Sequence, residues 1–242
     1  MLEPFYKGGD YDFLLNSDRE LDLTNRRFIV FELDNISGNK VLLPVVTLII
    51  METFIAKMRR LKGIRKVILI EECWKALMSA NMSGYIQYLF KTVRKYFGEA
   101  VVVTQEVDDI ISSPIVKEAI INNSDCKILL DQRKYMNKFE HIQRLLGLTE
   151  KEKSQILSIN QANHPGRFYR EVWIGLGGTR SAVYATEVSA EEDFTFTTEE
   201  SEKLEVQRLA EELDGNLELA IRRMAERKRE EQRQVSTPKR EQ

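Results

Sequence analysis

Short runs of consecutive apolar, largely β-branched residues recur along this chain, each followed by a longer segment of helical character. That alternation constrains the fold more than any other feature. RFIVFEL (27–33), KVILIEE (66–72), AVVVTQ (100–105) and CKILLDQ (126–132) read as strands. Between them, VVTLIIMETFIAKMRRLKG (45–63), GYIQYLFKTVRKYFG (84–98) and SPIVKEAIINNS (113–124) read as helices. Gly63 and Gly98 are expected to close the first two, with Ser113 capping the third and Pro114 in its first turn. A strand wetted on one side alternates apolar with polar residues. These runs do not, so both faces of their sheet are expected to be covered. Strands of that kind separated by helices predict a doubly wound, mostly parallel α/β sheet.

Two segments lie outside this pattern. FYREVWIGLGG and SAVYATEV alternate in the strand period around GGTR, and predict a late antiparallel edge hairpin. Beyond about Ala190 large apolar residues become scarce and charges dominate, so the chain divides into 1–190 and a helical C-terminal tail, 191–242. TTEE (197–200) resembles a capping box opening that tail, which reads either as a solvated helix or as one docking on a neighbouring subunit. The last residues, VSTPKREQ, are expected to be disordered.

Composition narrows the function classes. The formal charge is −2 over 242 residues, which excludes a uniformly cationic nucleic-acid binder but not a local basic face. Cys73 and Cys126 lack CxxC spacing and nearby histidines, as expected for reduced thiols in a cytoplasmic protein. His141 and His164 are isolated and read as structural or exposed. The most apolar stretch, Val41–Met51, is too short to cross a bilayer and reads as a buried helix, so any membrane association is expected to come through partners.

The pair Glu71–Glu72 closes an apolar strand. In parallel α/β sheets ligands collect beyond the carboxyl ends of the strands. Two carboxylates there suit nucleotide hydrolysis: one holds Mg²⁺ through water, and the other orients or deprotonates the attacking water. A helix-capping carboxylate is the plainer alternative. Thr104 and Gln105 end the next strand, where polar side chains can hydrogen-bond a terminal phosphate or its water. Arg94 and Lys95 lie late on the intervening helix. Arg94 either answers the helix dipole or reaches a neighbouring subunit's nucleotide.

The ordered runs FIVFELDNI, KVILIEECWKAL, YLFKTVRKYFGEAVVVTQEVDD and SPIVKEAIINNSDCKILLDQ resemble the C-terminal half of TraG-type conjugation ATPases. These are motors of type IV secretion systems, related to FtsK-like hexameric DNA pumps. The resemblance covers about residues 5–205 and is greatest to the form on Bacteroides-type conjugative transposons. It implies a RecA-like P-loop NTPase fold, with ILIEE in the Walker B position: Glu72 as the catalytic glutamate and Glu71 at the magnesium-linked aspartate. The usual pair is Asp-Glu, so Glu71 is one methylene longer. It further implies Gln105 as the sensor and Arg94 as the trans-acting arginine, with Arg133 an alternative; Trp74 is read as core. ATP and Mg²⁺ are the implied cofactors of the intact protein. Other secretion components, a homo-oligomer (hexamer) and DNA are the implied contacts. The implied location is the cytoplasm, or the cytoplasmic face of the inner membrane through partners.

Neither ISGNKVLL (36–43) nor GLGGTRSA (175–182) satisfies GxxxxGK[ST]. The family places that phosphate-binding loop upstream, so the chain is expected to begin after it. It is expected to be inactive alone, to hold no nucleotide, and to self-associate through exposed strands. Two other readings compete: a non-catalytic module docking on channel components, and a metal-dependent nuclease using clustered carboxylates, against which Asp108, Asp109, Asp125 and Asp131 are scattered over loops and strand ends with no accompanying histidine.

Overall fold

The computed structural model describes residues 3–18, 22–71, 80–105, 114–161 and 169–236. The chain forms two compact units, Met1–Ser124 and Asp125–Gln242.

In the first unit, a short helix α1 (Asp12–Leu15) precedes the long helix α2 (Leu42–Arg60). Helix α2 starts three residues before the predicted Val45. Asn39 caps it from outside, its Oδ1 accepting from the N–H groups of Val41 and Leu42 at 2.9 Å. Strand β1 (Lys66–Glu71), helix α3 (Ala80–Thr92) and strand β2 (Gly98–Val103) follow, then helix α4 (Pro114–Asn123). The strands pair in parallel, in register from Lys66↔Gly98 to Glu71↔Val103. Pro114 opens α4 as predicted, while Ser113, Cys73, Trp74, Asp108 and Asp109 lie outside the described residues.

One face of this sheet packs on helices. Ile68 joins Met51 and Met58 of α2, Ile86 and Leu89 of α3, Val93, and Ile120 of α4 in one core, and Ile70, Ala100 and Val102 pack against it. Each fully buried aliphatic side chain contributes about 1.5–3 kcal/mol. The alternate positions, Val67, Leu69, Val101 and Val103, are exposed; Leu69 reaches 58%. The second covering layer predicted from the sequence is thus not among the described residues.

RFIVFEL (27–33) forms no strand. Phe28 is 86% exposed, and no described strand lies beside the segment. An apolar run becomes a strand only when a neighbour takes its backbone hydrogen bonds.

The joint between α3 and β2 also departs from expectation. Helix α3 ends at Thr92 and passes through a 3-10 turn, Val93–Tyr96, which Phe97 closes at φ 55°. That left-handed backbone costs a bulky L-residue about 1–2 kcal/mol. Gly98 serves a different purpose: a Cβ there would stand 2.7 Å from Cγ2 of Val93.

The second unit contains a three-stranded antiparallel sheet ordered β3 (Cys126–Leu129), β4 (Tyr169–Leu176), β5 (Arg180–Glu187). CKILLDQ therefore yields a strand, but one that pairs antiparallel with β4 from Cys126↔Leu176 to Leu129↔Trp173. The predicted hairpin forms, and its turn carries Gly177 and Gly178 at φ 54° and 68°, which glycine tolerates freely. β4 is the central strand of the described sheet, so the predicted edge hairpin contributes one edge, β5, and β3 forms the other.

Helices α5 (Phe139–Leu146) and α6 (Glu150–Leu157) follow β3 in the chain, and the second of them is opened by a Thr149–Glu152 capping box. Gln155 of α6 fastens that helix to the hairpin. Its Oε1 accepts from Trp173 Nε1 at 3.1 Å and from Ser181 Oγ at 3.0 Å.

The charged C-terminal segment is not uniformly solvated. Helices α7 (Ala190–Phe196), α8 (Glu200–Glu211) and α9 (Leu217–Ser236) bury Phe194, Val206, Leu209, Ala210, Ala220, Met224 and Ala225 together. The capping box belongs to Ser189 and Glu192 at the start of α7; at TTEE the Thr197 hydroxyl instead donates to Glu202 and accepts from Glu199 N–H. Lys228 binds Asp193 at 2.6 Å and Arg229 binds Glu191 at 2.7 Å, tying α9 to α7. Of VSTPKREQ, Val235 and Ser236 end α9, and 237–242 lie outside the described residues.

Candidate functional site

The parallel register decides which predicted residues meet. Glu71 is the last residue of β1 and stands opposite Val103, the last residue of β2. Thr104 and Gln105 follow at once, so the acidic rim and the Thr-Gln rim are adjacent carboxyl ends of neighbouring strands. The Glu71 and Gln105 side chains are exposed and Thr104 is half-buried. By alternation Glu71 shares a face with Val67 and Leu69, which are exposed among the described residues. Glu72, the predicted catalytic glutamate, lies outside the described residues.

Arg94 does not join this rim. It sits in the 3-10 turn before β2, at the amino end of the same strands. The six residues of β2 separate the two ends, about 20 Å of strand. Within one subunit its guanidinium is out of reach of Glu71 and Gln105.

The amino end is fixed by a residue that sequence reasoning missed. Lys66 is buried, and no carboxylate among the described residues pairs with it. Its Nζ donates to the carbonyl of Tyr96 at 2.7 Å and to that of Met58 at 3.4 Å. Both carbonyls lie in the last turn of a helical segment, where the dipole favours a cation. Lys66 thereby pins α2 and the 3-10 turn to the start of β1. A charged residue opening an apolar strand was the available signal.

Other polar clusters lie away from the rim. A shallow groove between α2 and α3 is lined by Glu52, Arg59, Tyr85 and Tyr88. Arg59 donates to the Tyr88 hydroxyl at 2.7 Å and holds that phenol below its ordinary range. Tyr85 donates to Glu52 at 2.8 Å, and that bond pushes the phenol up. In the second unit Arg133, the alternative trans-acting arginine, forks onto its own Asp131, with Nε at 3.0 and 2.8 Å from the two carboxylate oxygens. Asp131 and Asp125 belong to the second unit, whereas Glu71 belongs to the first. Among the described residues no group of three or more His, Cys, Asp or Glu converges on a metal position.

A magnesium nucleotide needs a carboxylate for the metal's water shell, hydrogen-bonding groups at the terminal phosphate, and a backbone cradle for the remaining phosphates. Glu71 with Thr104 and Gln105 fits the first two. The cradle's GxxxxGK[ST] is not in this sequence.

The family model of the TraG P-loop domain matches residues 1–228. The chain belongs to the TraG P-loop domain family. This TraG-type chain is also 26% identical over 159 residues to the type IV secretion system protein virB4 of Bartonella quintana (strain Toulouse), covering 64% of the chain and 20% of that protein. The virB4 protein of Bartonella henselae (Houston 1) aligns with the same identity and coverage. A solved structure, VirB4 of Thermoanaerobacter pseudethanolicus, is 22% identical and superposes with a TM-score of 0.48 over 68% of this chain and 43% of its own. The TraG-type chain thus spans about a fifth of the length of the curated relatives it matches. No described helix is long and apolar enough to cross a membrane.

Proposed function

We propose that this chain is part of the ATP-hydrolysing domain of a conjugation motor of the conjugative-transposon type, which couples hydrolysis to transfer of DNA or protein, or to assembly of the channel. The observation that carries the reading is the register that sets Glu71 beside Val103, so that an acidic strand end and a Thr-Gln strand end form one rim. Bound Mg²⁺-ATP supplies the reacting phosphate and the charge that polarises it. Glu71 would hold Mg²⁺ through its water shell, and Glu72 would orient or deprotonate the attacking water. Thr104 and Gln105 bind the terminal phosphate and pass its loss to the loop that follows. Arg94 acts on a neighbouring subunit's nucleotide; its separation from its own rim, about 20 Å across β2, supports that reading. This favours a closed ring of copies, a hexamer, with further secretion components and transferred DNA as partners. The proposed location is the cytoplasm or the cytoplasmic face of the inner membrane.

In the intact protein, Glu72→Gln is expected to abolish turnover while nucleotide binding persists; normal turnover in that variant removes Glu72 from the role. For this chain alone, calorimetric titration with Mg²⁺-ATP is expected to show weak or no binding, because the sequence holds no phosphate cradle. Micromolar affinity would overturn that part of the proposal.

A second reading draws on the core shared by α7, α8 and α9, which gives the C-terminal segment a defined docking shape. On that reading the chain captures a channel component in a nucleotide-free pull-down, and Glu72→Gln changes nothing.

A further inference from the structure

At the amino end of the parallel strands two turns lie side by side. One, Leu61–Arg65, leads from α2 into β1; the other, Arg94–Phe97, leads from α3 into β2. Lys66 N–H donates to the Phe97 carbonyl at 3.2 Å, and the Lys66 ammonium to the Tyr96 carbonyl at 2.7 Å, so the turns are held as one edge. Each turn presents a large apolar side chain to solvent: Ile64 is 55% exposed and Phe97 is 58% exposed. The turns and the helix ends that lead into them carry the exposed cations Arg60, Lys62, Arg65, Lys91 and Lys95. Across residues 57–66 and 91–99 the only acid is Glu99, which pairs with Arg65 at 2.5 Å.

Phe97 is the informative residue. Its φ of 55° is a backbone state that suits glycine or asparagine, and its ring is left in water. Its N–H closes the turn on the Arg94 and Val93 carbonyls, a cap that glycine makes equally well, so the exposed ring adds nothing to it. A bulky residue kept at a strained, exposed turn points to a contact outside the chain.

We propose that this edge rests on an anionic bilayer surface, with Ile64 and Phe97 entering the interface and the surrounding cations facing lipid headgroups. The charge complementarity is that of a polybasic membrane contact. Single-stranded nucleic acid, the other polyanion, is bound by successive aromatic platforms along a groove, whereas one aliphatic and one aromatic tip on adjoining turns match a bilayer better. The contact does not depend on nucleotide hydrolysis.

The test is co-sedimentation of the chain with vesicles of phosphatidylglycerol and phosphatidylcholine in equal parts, against phosphatidylcholine alone. Binding is expected to the anionic vesicles only and to weaken with added salt. The double variant Lys62→Gln/Lys95→Gln is expected to bind about thirtyfold more weakly, the attraction lost with two interfacial cations. Phe97→Gly is expected to bind more weakly while its thermal unfolding midpoint stays level or rises, since glycine relaxes the turn. A merely structural Phe97 would not separate those two readouts. No binding to anionic vesicles, unchanged binding in both variants, or a fall in binding that tracks a fall in unfolding midpoint overturns the proposal. So does selective loss, in the same variants, of binding to a single-stranded oligonucleotide while vesicle binding persists.

Discussion

Asp131 offers the best-defined perturbation in the second unit. It lies two residues past β3 and accepts from the Arg133 backbone N–H at 3.0 Å, from Arg133 Nε at 3.0 and 2.8 Å, and from Asn160 Nδ2 at 3.3 Å. Asn160, at φ 58°, is in turn locked to β4: its N–H reaches Glu171 Oε2 at 2.6 Å, and its Oδ1 accepts from Glu171 N–H at 3.0 Å. One carboxylate therefore joins the end of β3, the end of α6 and the start of β4. The Arg133 hydrogen bonds hold Asp131 well below the ordinary carboxylate range, from 3.8 to about 2. At about 1.4 kcal/mol per tenfold, that drop corresponds to about 2.4 kcal/mol favouring the charged form in the folded state. The side chain is 27% exposed and Arg133 52%, so solvent screening reduces the net contribution to about 1–1.5 kcal/mol.

The sign follows from the lowered value. The folded state holds this proton more weakly than the unfolded chain does. The stabilisation is therefore complete above about pH 5 and disappears as pH falls from about 4 to about 2. Asp131→Asn keeps the shape and removes the charge. Urea unfolding followed by emission of the buried Trp173 should show the variant less stable by about 1–1.5 kcal/mol at neutral pH, with the gap closing toward about pH 2. A gap that stays constant with pH, or widens on acidification, refutes the assignment of this stability to the Arg133 pair.

Three further outcomes follow from packing and charge. Leu89→Ala, at a fully buried position beneath β1 and β2, is expected to lose about 3–5 kcal/mol, measured by denaturant unfolding of the first unit. Gly175→Ala should drive the Trp173 indole from its seat, because a Cβ there would stand 2.9 Å from the ring's Cζ2; a red-shifted tryptophan emission checks it. Lys66→Met should destabilise the amino edge by about 1–3 kcal/mol by leaving the Tyr96 carbonyl without its donor, and amide exchange in Val93–Phe97 should quicken while the Glu71 end is unaffected.

Much of the local structure is legible in residue order. β1, β2 and β3 arise where apolar β-branched runs stand, and α2 and α4 where the helical pattern and Pro114 place them. The adjacency of Glu71 with Thr104 and Gln105 is legible too. A strand, a helix and a second parallel strand admit one economical pairing, which puts both carboxyl ends on the same side. What resisted reading is pairing at long range. The segment 27–33 has the composition of a strand but no described strand pairs with it, and composition cannot supply a partner. β3 looks like a further parallel strand, yet its backbone bonds go to β4, some 40 residues later. The C-terminal helices look solvated because their core is small: alanines, one phenylalanine, one methionine, a valine and a leucine. Lys66 and Gln155 are ordinary polar letters until tertiary structure brings carbonyls and an indole to them.

Sequence alone therefore determined which segments could be strands or helices and which charged residues would stand at strand ends, since both depend on neighbours a few residues away. Only the tertiary structure decided which strands pair, which sheet face is covered, and that Arg94 and Glu71 occupy opposite ends of the sheet, because hydrogen-bond partners and burial are set by residues distant in the chain.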